Sequence, residues 1–198
     1  VRLPMGVYDI IVFNRSFNDF SNIAFRGNSY ETLEAYARKV ETRVDKKTRV
    51  ETRTIISSPD ELAAATLEGF TVTEDMLGNY SQTTYGRTAP SRSSEETPDG
   101  LYHLHFVPKK LTREVSAVLH IEGLNNIRSA TCRLGGVAES IFLATGKTSA
   151  NTVTQEFTPS NPEFSPGSPF NGTLSCEFEI FGLNVIDNNN LHLDALLV

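Results

Sequence analysis

A mainly β fold, an antiparallel β-sandwich with a few short helices, is what this sequence predicts, and three segments predict it. Val115, Ala117, Leu119 and Ile121 alternate with Ser116, Val118 and His120. Leu174, Cys176, Phe178 and Ile180 alternate with Ser175, Glu177 and Glu179, and Leu191, Leu193, Ala195 and Leu197 alternate with His192 and Asp194. Successive side chains on a strand point to opposite faces, so a period of two marks a strand with one buried face. Turn-forming clusters divide these runs: Leu124-Asn125-Asn126, the proline-rich TPSNPEFSPGSPFNG over 158–172, and Asp187 to Asn190. Short alternating runs separated by turns, with little helical periodicity, are the pattern of two facing sheets.

Taken in order, Leu3-Pro4-Met5-Gly6 reads as a turn into a strand over 7–13, which is apolar on both faces apart from Asp9 and so belongs inside a sheet. A polar loop over 14–22 carries Phe17 and Phe20, and 23–26 is a short strand. Asn28 with Glu31 three residues on has the form of a helix start, and Leu33, Tyr36 and Ala37 would supply an apolar face, so a helix is expected over 29–38. The stretch 38–56 reads as a hairpin turning at Asp45-Lys46-Lys47, its Lys and Arg residues discouraging edge-to-edge association. Ser58-Pro59-Asp60-Glu61 combines a capping hydroxyl, a first-turn proline and a carboxylate able to close a capping box, which predicts a second helix over 59–65 and then a strand over 67–72.

Residues 78–100 are rich in Ser, Thr, Gly and Pro and show no apolar period, so they form a long loop. The domain boundary is placed just beyond it, giving an N-terminal β domain over 1–105 and a C-terminal sandwich over 106–198. A strand resumes over 101–107, with Pro108 marking an edge. After the strands at 115–121 and 127–134, the tandem Gly135-Gly136 breaks regular structure, and 152–157 is a further strand.

Composition narrows the function classes. Hydrophobic residues are 39% and charged residues 21% of 198, enough for a real core. No apolar run approaches the ~20 residues a membrane helix needs. A net charge of −6 lacks the basic field of a nucleic-acid binder, and the Arg38 to Arg53 stretch is interleaved with acids. Cys132 and Cys176 fall on the apolar phase of strand-like runs and read as small buried hydrophobes, unbonded, with a disulfide open if their strands are neighbours. Gly146-Lys147-Thr148 lacks the earlier glycine of a phosphate loop, since position 141 is Ile141. His103 and His105 share a strand face without further ligands in a recognisable spacing. Asn14, Asn79 and Asn171 begin formal glycosylation sequons. Phe17, Phe20, Tyr80 and Tyr85 are the aromatics that an exposed sugar site would use. No catalytic, cofactor-binding or metal-ligating residue stands out, and the chain reads as a non-enzyme without a cofactor.

The succession LPMGVYDIIVFN, IAFRG, YETLEAYAR, FVPKKLTREVSAVLHIEGLNNI, SATCRLGGVAESIFLATG, GTLSCEFEIFG and LHLDALLV resembles a fimbrillin-like family of the Bacteroidales, which includes minor fimbrial anchor-type subunits and surface lipoproteins. The likeness runs from Leu3 to Val198 and rests on scaffold residues in a particular order. It implies transthyretin-like sandwich domains, the first one short of its opening strands here. It also implies an exported protein on the outer membrane, held by a lipidated cysteine upstream of Val1. Adhesion or pilus assembly without catalysis would be the role, with other fimbrial subunits as partners through β-strand addition. A carbohydrate-binding module of a surface lipoprotein, with a host or glycan ligand, is the alternative.

Overall fold

The computed structural model describes residues 3–41, 54–74, 76, 103–184 and 189–198. In chain order the strands are β1 Gly6–Phe13, β2 Ile23–Arg26, β3 Glu34–Ala37, β4 Lys39–Glu41, β5 Ile55–Ile56, β6 Ala63–Val72, β7 Lys109–Lys110 and β8 Arg113–Ile121. They continue as β9 Ile127–Ala138, β10 Ser140–Phe142, β11 Thr152–Phe157, β12 Asn161–Phe164, β13 Gly172–Ile180 and β14 Leu191–Leu197. Four sheets result, ordered β1-β6-β7, β10-β3-β2, β14-β9-β11-β5-β4 and β12-β13-β8. Pairing is antiparallel except between β5 and β11, which run parallel. The fold is mainly β and sandwich-like, as expected.

The two strands with the clearest alternation pair with each other in unbroken register. Leu174 stands opposite Leu119, Cys176 opposite Ala117 and Phe178 opposite Val115. Directly opposed residues share a sheet face, so this register lays one apolar surface against β9 and β11. There Phe178, 6% exposed, stacks on Phe157 with ring centroids 4.2 Å apart. Cys132, Val137, Ile180 and Phe181 fill the same core, as do Phe20, Ile23, Ala35 and Ile56 from the N-terminal half. Strands from either side of residues 105/106 therefore share this core and three of the sheets.

Polar stitches fix the layers. The Ser58 hydroxyl accepts from the Glu179 backbone N–H at 2.9 Å and donates to its carbonyl at 3.2 Å. The buried Gln155 side chain donates to that carbonyl from the opposing sheet at 2.9 Å. Lys110 Nζ bonds the Glu179 carboxylate at 2.7 Å, tying β7 to β13.

Several local expectations are overturned. No helix occupies 59–65, because the Ser58 hydroxyl caps the distant β13 rather than a following turn, and β6 begins at Ala63. No helix occupies 29–38 either. The Ser29 N–H is held by the Thr32 hydroxyl in a turn, and Glu34-Ala35-Tyr36-Ala37 alternates half-buried with buried as β3. Residues 103–108 form no strand, so of the run expected at 101–107 the described part is irregular. Gly135-Gly136 does not end β9; the strand runs through it, and a register shift against β11 falls there, with Gly136 at φ 74°. Glycine in that left-handed conformation is what lets a bulge bend a strand without breaking it. β1 is an edge strand with Val7 69% exposed, where an interior strand was expected. The ends of the hairpin expected over 38–56 do pair, as β4 and β5, whereas its turn and the loop over 78–100 lie outside the described residues.

In the sheet β10-β3-β2, Glu34 accepts hydrogen bonds from Arg26 and from the Ser140 hydroxyl. Burial alone would raise the Glu34 pKa, but the two hydrogen bonds and the Arg26 charge outweigh it and hold the pKa below its ordinary value. A depressed carboxyl stabilises the fold fully above roughly pH 4.3, and that stability is lost as pH falls through the depressed pKa. Glu34→Gln should therefore flatten the acid limb of the stability profile, measured by denaturant titration at several pH values. An unchanged acid limb would remove Glu34 from the account.

The core makes a second test. Phe178→Ala should cost about 3–5 kcal/mol by removing a stacked, buried ring. Glu177→Ala, one residue along on the exposed face, should stay within about 0.5 kcal/mol. Denaturation midpoints at equal slope compare the two, and equal losses would mean that the strand is buried on both sides.

Candidate interaction surface

β14 behaves differently from the other strongly alternating strands. It pairs with β9 at the end of its sheet, Leu193 opposite Cys132 and Ala195 opposite Ala130, so its apolar phase lies on the core face. Yet every residue of β14 is exposed, Leu191 at 51% and Leu193 at 38%, while Cys132 beside it is fully buried. One strand's step along the sheet passes from core to solvent. Burial of this strand's apolar phase was expected, and the structure corrects it: alternation reports which face is apolar, and a second sheet must still reach over that face.

The narrower sheet explains the shortfall. Glu179 turns its N–H and carbonyl toward Ser58 and Gln155, the β5–β11 side, so β8 lies on the opposite side, toward β9 and β14. Leu119 and Ile121 of β8 join Ala130 of β9 and Leu174 of β13 in one apolar cluster, so β8 reaches over β9. Among the described residues no strand pairs with the outer edge of β8 or of β14. The sandwich is therefore stepped, with an open strand edge on β8 above the uncovered Leu191, Leu193 and Ala195.

The outer face of β14 is anchored by charge. Arg133 of β9 bonds Glu156 of β11 at 2.9 Å and Asp194 of β14 at 2.8 Å, and His192 Nε2 lies 3.2 Å from Asp194. This ladder was not legible in the sequence, because it joins three strands whose neighbourhood is set by topology.

Other sequence-level candidates resolve individually. Phe20 is 2% exposed and belongs to the core, and Phe17 packs edge-on against Phe13 and Phe25, its ring centroid 4.5 Å from that of Phe25. Phe17 remains 52% exposed but Phe20 does not join it at the surface, and Tyr80 and Tyr85 lie outside the described residues. His103 and His105 are exposed in irregular chain. Among the described residues no group of three or more His, Cys, Asp or Glu gathers to hold a metal. Gly146-Lys147-Thr148 closes a tight turn, with the Phe142 N–H bonded to the Lys147 carbonyl and the Gly146 N–H to the Phe142 carbonyl. Asn14 spends its side chain on Glu61 and Ala63, and Asn171 accepts from Gly123. Cys132 is buried as expected, but Cys176 is only half-buried, because β12 pairs with β13 no further than Asn161 opposite Ser175; both thiols are free.

Comparison with known proteins agrees with the fold. A crystal structure of a Bacteroides ovatus protein described as a candidate adhesin superposes with a TM-score of 0.55 at 15% identity. The superposition takes in 94% of this chain and 53% of that protein, so the chain spans about half the length of this neighbour. At that identity the likeness speaks for the fold. No curated protein sequence matches. The sequence pattern of a family described as a domain of unknown function, DUF5119, matches residues 1–158. The match takes in well over half of the chain, which therefore belongs to the DUF5119 family.

Proposed function

We propose that this chain is a non-enzymatic cell-surface protein of fimbrillin-like kind, an adhesion or pilus-associated subunit that joins other subunits by β-strand addition. The stepped edge carries the reading. A strand hydrogen-bonded to the free edge of β8 would cover Leu191 and Leu193, extending the narrow sheet over the wide one. Main-chain hydrogen bonds would supply affinity, and the alternating side chains of the incoming strand would supply specificity. Exposed apolar edge strands are normally blunted in proteins that stay alone. Here the apolar face is left open while the opposite face is held by Arg133 and Asp194.

The β fold shared with the Bacteroides ovatus protein, itself described as a candidate adhesin, supports a surface role. Outer-membrane anchoring through a lipid is part of the same proposal. The carbohydrate-binding alternative draws less support, since Phe20 is buried in the core and leaves Phe17 as the one exposed ring of that pair.

The test uses the chain displayed on its native cells. A photo-crosslinking residue at position 191 should trap a protein subunit, and adding Leu193→Lys and Leu197→Lys should abolish the trapped band. Melting of that double variant should stay within about 0.5 kcal/mol of the parent, as for other exposed substitutions. A band that persists in the charged variant, or no band from position 191, would sink the strand-addition reading.

A further inference from the structure

The two cysteines lie in opposite sheets of the sandwich, and their neighbours bring them together. Cys132 on β9 stands directly opposite Phe157 on β11. Phe157 stacks on Phe178 at 4.2 Å, and Phe178 shares its face of β13 with Cys176, two residues away. Both thiols thus flank one stacked ring pair from opposite sheets. Electrostatics agrees: burial foremost raises the Cys132 pKa, and the charges of Cys176 and then Asp194 raise it further, a coupling that needs proximity. Burial raises Cys176 as well.

Their accessibility differs. Cys132 is fully buried. Cys176 is half-buried and lies in the wall of a cavity of about 450 Å³ with Ser116, Thr158, Ser160, Asn161, Ser175 and Glu177. This cavity opens where β12 stops covering β13. Its walls are hydroxyl, amide and carboxylate groups, suited to a small, hydrophilic reagent.

We propose that Cys176 and Cys132 form an entry-and-resolving thiol pair, which a small hydrophilic disulfide of the glutathione type converts into a bond between the two sheets. Cys176 loses its proton and its sulfur attacks the incoming disulfide, giving a mixed disulfide and expelling one small thiol, which takes up a proton. Cys132 then loses its proton and attacks the Cys176 sulfur, forming the protein disulfide and expelling the second small thiol. Two protein thiols are oxidised by two electrons, and one small disulfide is reduced to two thiols. Immunoglobulin-type sandwiches span facing sheets with such a bond packed on an aromatic ring, and here Phe157 and Phe178 occupy that place. Because burial holds both thiols protonated, closure is slow at neutral pH and quickens as pH rises.

The reduced, folded full-length chain is incubated with glutathione disulfide, quenched with acid, denatured and alkylated, and its intact mass is read. The expected product has no alkylatable thiol and no retained glutathione, and peptide mapping links the segments containing Cys132 and Cys176. Its melting temperature should rise by roughly 5–15 °C and return on reduction. Cys132→Ala should stop at glutathione held on Cys176, whereas native Cys176→Ala should take up none. Where a variant does not melt cooperatively, the peptide map of the parent decides alone. Two alkylated thiols, glutathione retained on the parent, or a disulfide-linked dimer would each overturn the proposal.

Discussion

The layer that the rest of the structure depends on is the contact of β13 with β11, where Phe178 stacks on Phe157 and the Glu179 backbone is held from both sides. Ser58 satisfies both the N–H and the carbonyl of Glu179, and Gln155 reaches across the sandwich to the same carbonyl. An unpaired backbone group in a dry interior costs free energy comparable to a lost hydrogen bond. Among the described residues the edge of β13 below Ser175 has no strand partner on that side, since β12 has ended. Two polar side chains therefore stand where strand pairing would otherwise be required, and Ser58 adds a polar tie between the two halves to the strand pairing of β5 with β11 and of β3 with β10.

That hydroxyl also shows where sequence reading reaches its limit. Ser58-Pro59-Asp60-Glu61 has every local attribute of a helix start, and helix does not follow. Ser58 is 121 residues from Glu179 in sequence, and the bond it makes there outweighs the cap it could have made locally. Asp60 is likewise used at a distance, accepting from the Asn22 N–H at 2.7 Å. By contrast, the alternation at 115–121 and 174–180 was legible, because period-two patterning follows from the strand itself and needs no knowledge of the partner. Register was not: opposing the two apolar phases fixes only its parity, and the pairing of Leu174 with Leu119 and of Phe178 with Val115 emerged with the structure.

What the pattern could not convey is coverage. β13 and β14 alternate equally well, yet Phe178 is 6% exposed and Leu191 51%. The difference arises from the widths of the two facing sheets, three strands against five. Width is a property of topology, and topology depends on contacts between segments far apart in the chain. The candidate surface was accordingly visible in the sequence only as an apolar strand, and its openness emerged with the strand order. Its outer ladder of Glu156, Arg133, Asp194 and His192 emerged in the same way.

The family match places one more constraint on this architecture. It ends at residue 158, just past β11, whereas β12, β13 and β14 all lie beyond it. β13 is the central strand of its sheet, and without it β8 would have no partner among the described strands. Phe157 would also lose the ring stacked on it, and Gln155, fully buried, the carbonyl to which it donates. Residues 1–158 thus contain one wall of the sandwich and the edge of the other. The segment after 158 closes the core with β13 and then, with β14, extends the wide sheet past the point where anything in the described chain covers it. Closure and exposure come from consecutive strands of one segment, so the open face at β14 follows from how the core is completed.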